Sequence, residues 1–359
     1  MYESVFTKHP GMNILVTGGA GFIGHNLALT LAEMGAEVHA VDSLQVNNLG
    51  AFSNSHEDAN KALYLHFIHD RLRLLQEAQI PLHVVDARDY HVLSRCLNDM
   101  KPDTIVQLAA IAHANRANKD PYSTFDHSLR TLENALDCAR GLKARFIYFS
   151  SSMVYGSFDG EAVTEERHCE PLGIYGALKY GGEKLVIAYS QVFGLSYTIV
   201  RPSALYGQRC VSRRVGQAFI EGVLRGAPLS VNGDGSDALD FTYIKDLLQG
   251  LVLCIGKDEA RNQIFNLTYG GARSLAQMID IVRQQFPNVE VKFQPRDALM
   301  PERGTLSIEK AKRLLGYCPA YPLEKGFVDY IQWYKELAAR HQKFFTPLQG
   351  PSVSGSNQR

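Results

Sequence analysis

The sequence predicts an α/β protein: a doubly wound parallel sheet with a smaller C-terminal α/β lobe. Three observations carry this. Strand-length apolar runs alternate with helix-length segments through the first two-thirds of the chain. The strands are nearly continuous in their apolar residues, as in a parallel sheet covered on both faces. After Arg201 the alternation loosens into shorter strands and helices. With 359 residues, 45% of them hydrophobic, the chain can bury a full core.

In order, the strands are "NILVTG", "EVHAVD", "LHVVDA", "TIVQLAA", "RFIYFSSS" and "SYTIVRPS". Residues 26–34, 90–100 and 128–141 have helical composition between them. Residues 12–200 are therefore expected to form one domain and residues 201–342 mainly a second lobe, interleaved with the first. Residues 1–11 and 343–359 read as an extension and a tail. An insertion at about 43–80 separates the second and third strands, with loop composition in "NNLGAFSNS" and helical composition over 56–79. At a strand's carboxyl end it either borders a ligand cleft or decorates the surface.

The first turn carries the first chemistry. Gly18, Gly21 and Gly24 form G-x-x-G-x-x-G directly after a strand and opening a helix. The first allows the tight turn, the second lets backbone approach a pyrophosphate, and the third lets helix and strand pack closely. Asp42 follows Gly24 by eighteen residues, where a carboxylate accepts from ribose hydroxyls and repels a 2′-phosphate. The domain therefore reads as a Rossmann-type dinucleotide site preferring NAD. Asp86, ending the third strand, is expected beside the adenine.

"YGALK" places Tyr175 and Lys179 four residues apart, on one face of a helix. A nearby ammonium and a positively charged nicotinamide favour the phenolate. Bringing the phenol to pKa ~7 takes roughly 4 kcal/mol of differential stabilisation. Upstream, Ser150, Ser151 and Ser152 sit at a strand's carboxyl end. Y-x-x-x-K alone is common on exposed helices; with the glycine loop and the serines it points to hydroxyl oxidation.

Taken together, "TGGAGFIG", Asp42, "VVDARD", "LAA" at 108–110, "SSSMVYG", "YGALK", "RPSALYG", "GDGSDALDF" and "IEKAKRLLGY" resemble the extended short-chain dehydrogenase/reductases of the sugar-nucleotide epimerase/dehydratase group, over roughly residues 12–340. The resemblance implies Ser151, Tyr175 and Lys179 as the catalytic residues. It implies NAD bound by Gly18, Gly21, Phe22, Ile23, Gly24, Asp42, Asp86, Ala87, Leu108, Ala109, Ala110, Tyr175, Lys179 and Pro202. The implied reaction is epimerisation of a nucleotide sugar, foremost at C4 of a UDP-hexose or UDP-hexuronate. Related 4,6-dehydratases carry Asp-Glu just after the serine, where this chain has Ser152 and Met153, so dehydration is disfavoured. A reductase with net redox, or a silent NAD-binding sensor, are the other readings.

The departures fall on the substrate side. Ala204 replaces a common asparagine, Leu239 an arginine that usually reaches the diphosphate, and Ser128 another asparagine. Substrate contacts are expected from Ser151, Ser152 and Tyr175. Arg213, Arg214 and Arg303 are the candidates to replace the lost cation, set against their being solvated surface arginines. The resemblance also implies a homodimer, with Leu132, Leu136, Leu185 and Tyr189 as candidate interface residues.

Composition bounds the rest. Lys plus Arg equals Asp plus Glu at 37 each, so no global field draws nucleic acid or an anionic membrane. Six cysteines without a C-x-x-C pair suit reduced thiols in a cytoplasmic protein. No apolar run is long enough to span a membrane, and "MYESVFTKHPG" lacks a signal-peptide core. Twelve histidines show no metal-ligand spacing, and no metal is expected.

Overall fold

The computed structural model describes residues 11–53, 60–111, 114–296 and 300–346. Seven parallel strands form the main sheet: β1 (Asn13–Thr17), β2 (Glu37–Asp42), β3 (Leu82–Val84), β4 (Thr104–Gln107), β5 (Arg145–Phe149), β6 (Tyr197–Arg201) and β7 (Gln263–Asn266). Their spatial order is β7-β6-β5-β4-β1-β2-β3. Chain direction through the sheet reverses between β1 and β4, which opens a crevice at the carboxyl ends of those two strands. All five residues of β5 and four of five in β1 are buried, as a two-sided helical cover requires.

Helix α1 (Phe22–Glu33) begins four residues earlier than its apolar pattern suggests. Gly21, extended at φ −73° and ψ 177°, is its N-cap, so the glycine loop runs straight into the helix. The insertion forms α2 (Lys61–Glu77), and it is no decoration. Its Tyr64, Phe67, Ile68, Arg71 and Leu75 are buried. Tyr64 donates to Glu221 on helix Val215–Leu224 at 2.9 Å, and Tyr334 meets the same carboxylate at 2.7 Å. The insertion thereby joins the sheet layer and the C-terminal lobe in one core.

Residues 201–342 do not form a separate body. They contribute β7 to the main sheet and helix Ile244–Gly256 to its cover. The remainder includes a two-stranded parallel pair, Leu229–Asn232 with Val291–Gln294, and helices Leu275–Gln285 and Leu323–Arg340.

Leu132 and Leu136 correct one expectation. Both are fully buried on Thr131–Leu142, against Phe146, Val186 and Ile199 of the chain's own core. Helical periodicity shows that a face is covered and not by what. The exposed apolar residues of helix Gly173–Phe193 are Leu185, Val192 and Phe193.

Candidate active site

A cleft lies at the carboxyl ends of the central strands. Gly18, Gly21, Phe22, Ile23, Gly24, Asp42, Asp86, Ala87, Leu108, Ala109 and Ala110, all expected from the sequence, line it. Gly18 adopts φ +68°, which a side chain rarely tolerates. A Cβ on Gly24 would stand 2.2 Å from the Gly18 carbonyl oxygen, so helix and loop touch backbone to backbone there. Asp42 ends β2 with its carboxylate accepting from the Leu44 and Ala20 N–H groups at 2.7 and 3.1 Å. Burial raises its pKa; those two bonds and the charge of Arg71 oppose the rise. Cradle, helix N-terminus and ribose-facing carboxylate fit a dinucleotide.

Asp86 borders the cleft, but its carboxylate is held by Arg88, with Nε at 3.0 Å and Nη2 at 2.6 Å. That hydrogen bonding keeps it below the usual carboxylate range. Arg88 also donates to Asp126 and Gln45, so Asp86 anchors a local network as well as walling the cleft. Pro202 is buried and outside the cleft wall; its carbonyl accepts from the Ser152 N–H at 2.9 Å.

The three serines after β5 go three ways. Ser150 donates to Glu183 at 2.5 Å. Ser151 accepts from the Met153 N–H at 3.2 Å and lies near enough to the Tyr175 phenol to lower its pKa. Ser152 is held by Arg303. Arg303 donates also to Ser203 at 3.1 Å and meets the Met153 sulfur at 2.8 Å.

Burial raises the Tyr175 phenol above its ordinary value, while Arg214, Ser151 and Arg303 pull it back. Lys179, which helical spacing sets near the phenol, has its ammonium engaged by the main chain. Its Nζ bends back to the Phe149 carbonyl at 2.7 Å, over the Tyr148 ring. Two arginines, distant in sequence, are the cations beside the phenol. The buried Nε atoms of Arg214 and Arg303 have no hydrogen-bond partner, which leaves each with a donor for a ligand. Arg213 is parted from them. It is exposed, at φ +47°, and does not line the cleft, whereas Arg214 does.

Leu239, in the place of the usual arginine, is partly buried against the core. It pairs across a short ladder with Arg273, which Glu324 holds at 2.6 Å. Among the described residues no group of three or more His, Cys, Asp or Glu side chains is placed to hold a metal, and no helix is long and apolar enough to cross a membrane.

The family described as NAD dependent epimerase/dehydratase matches residues 14–268. The chain belongs to that family. UDP-glucuronate 4-epimerase 4 of Arabidopsis thaliana is 26% identical over 92% of this chain and 78% of its own length. An uncharacterised UDP-glucose epimerase of Bacillus subtilis is 28% identical over 91% of this chain and 99% of its own. The crystal structure of UDP-glucuronic acid 4-epimerase from Bacillus cereus, in complex with UDP-glucuronic acid and NAD, superposes with a TM-score of 0.80 at 26% identity, covering 91% of this chain and all of that one. The cofactor of this enzyme family is NAD, and the cleft is built for it.

Lys179 makes a stability prediction. Burial pulls its ammonium from 10.5 down to about 8, with Glu183 opposing. Between about pH 8 and 10.5 the unfolded chain holds a proton there that the folded chain has released. The unfolding free energy should therefore rise with pH across that window relative to Lys179→Met. Urea unfolding of both cofactor-stripped proteins at pH 8, 9 and 10 checks this; parallel trends would contradict it.

Proposed function

We propose that this enzyme inverts C4 of a UDP-hexuronate, with the neutral UDP-hexose as a weaker substrate. The reading rests on one arrangement: a phenol whose burial-raised pKa is pulled down by a neighbouring serine and by two half-buried arginines, each with a buried Nε that has no partner. Tyr175 takes the proton of the C4 hydroxyl, Ser151 holds the same oxygen, and Lys179 steadies the nicotinamide ribose. NAD, when bound, accepts the C4 hydrogen as hydride and returns it. The ketone turns in the site before it is reduced from its other face. Arg214 and Arg303 supply the positive charge that a C6 carboxylate requires on leaving water.

Ser152 and Met153 occupy the positions of a dehydratase's acid and base, and both are partners of Arg303. A serine hydroxyl and a thioether cannot act as that pair, so elimination of water lacks its acid and its base here. The test is Arg303→Gln. Its kcat/KM should fall about 100-fold or more for UDP-glucuronate and less than about tenfold for UDP-glucose, as loss of a charged hydrogen bond implies. Equal losses would remove the case for a hexuronate.

We infer a homodimer through helix Gly173–Phe193, supported by Val192 and Phe193, which are 71% and 51% exposed. Val192→Glu with Phe193→Glu should give a monomer in light scattering; an unchanged mass would place the interface elsewhere. A cytoplasmic setting is in keeping with six unpaired thiols.

A further inference from the structure

Arg71 belongs to none of the motifs that the dinucleotide reading uses. It comes from the insertion helix Lys61–Glu77, is 1% exposed, and reaches the wall of the NAD cleft. Its hydrogen bonds go to neutral oxygens: Nε to the Arg209 carbonyl at 3.1 Å, Nη2 to the same atom, and Nη1 to the Ala20 carbonyl at 3.5 Å. Among the described residues it forms no ion pair. Asp42 lies near enough to interact with it through space, without a hydrogen bond between the two, and accepts instead from two backbone N–H groups.

A buried guanidinium whose hydrogen bonds all go to carbonyls has no anion in direct contact, with Asp42 acting on it only through space. Ala20 is a residue of the glycine loop itself, one before the N-cap of the first helix. The other arginine of the cleft wall, Arg214, stands by Tyr175 at the reacting end. His25 under the same loop, with Nδ1 2.8 Å from the Gly21 carbonyl, cannot serve as a second cation. Burial, then the charge of Arg71, keeps it neutral down to about pH 3.

We propose that Arg71 is the fixed cation for the diphosphate of NAD in this chain, brought by the 43–80 insertion to the glycine loop. Its position is set from both sides. The Arg209 carbonyl fixes one edge of the guanidinium, and that loop is in turn tied to the insertion helix through the Arg209–Asp70 ion pair. The loop needs such ties, because Ala204, Arg209 and Arg213 all take positive φ without being glycine. The proposal rests on the NAD reading of the cleft.

The experiment measures Kd values of NAD, ADP-ribose and adenosine for the full-length protein stripped of cofactor, with Arg71→Met and Arg71→Lys beside it. Arg71→Met should weaken NAD and ADP-ribose at least about tenfold and leave adenosine unchanged, since only the first two carry the diphosphate. Arg71→Lys, which keeps charge and fold, should lie between. Equal losses for all three probes, in either variant, would make Arg71 a packing residue and overturn the proposal. So would unchanged affinities. If the unsubstituted protein bound neither NAD nor ADP-ribose, the NAD reading would fail instead.

Discussion

Tyr175→Phe is expected to lower kcat about 1,000-fold while leaving bound NAD unchanged. A positioned general base contributes roughly 10²- to 10⁴-fold, and the substitution removes only the hydroxyl. The ring stays on helix Gly173–Phe193, and Tyr175 is not among the residues that wall the NAD cleft. Ser151→Ala should cost less, because it removes one of three influences that lower the phenol and keeps the base. Turnover measured at saturating substrate, with NAD content read from the denatured protein, separates the effects. Retention of more than about a tenth of the activity by Tyr175→Phe would mean that another group takes the proton.

Arg201→Met carries the largest expected stability loss, about 3–5 kcal/mol, the usual cost of leaving one member of a buried ion pair alone. Arg201 and Glu183 are 3% and 1% exposed and meet through two bonds, at 2.6 and 2.9 Å. Glu183 also accepts from Ser150, and Arg201 donates to the Tyr155 hydroxyl at 2.9 Å. Since Glu183 lies one turn beyond Lys179, this pair pins the catalytic helix to the sheet end that carries the serines. Urea unfolding should show the loss in Arg201→Met. Arg201→Met combined with Glu183→Met should regain most of it, because no charge is then stranded. A double variant as unstable as the single one would mean that the pair contributes through packing and not through charge.

Both predictions concern residues whose roles were unequally legible in the sequence. Gly18, Gly21, Gly24 and Asp42 could be read because two strands, one turn and one helix fix their relation within thirty residues. Tyr175 was legible for the same reason, whereas the strand end offered three serines and only the family resemblance singled out Ser151. What Lys179 does was not legible, since helical spacing puts it near Tyr175 while its side chain follows the Phe149 carbonyl. Arg213 and Arg214 are adjacent in the chain and equivalent in composition. The fold puts Arg214 in the cleft wall and leaves Arg213 exposed, which neighbouring positions of one residue type cannot reveal.

Arg71 left a faint signal that the helical composition of 56–79 hid. It falls on the stripe of Tyr64, Ile68 and Leu75, where an aliphatic side chain would be expected, and a charge on a covered stripe asks for a partner. The Glu183–Arg201 pair left none, because nothing local relates a helix residue to the end of the following strand. Leu132 and Leu136 show the converse, a clear apolar face whose cover came from the chain itself.

The central claim is that the C4 hydrogen leaves and returns within one closed site. The most direct measurement incubates the purified enzyme, without added cofactor, with UDP-glucuronate in deuterated water and follows the sugar by proton NMR. The account predicts the C4 epimer with no deuterium on any carbon. Deuterium at C3 or C5, or loss of water from the sugar, would mean enolisation and would contradict it.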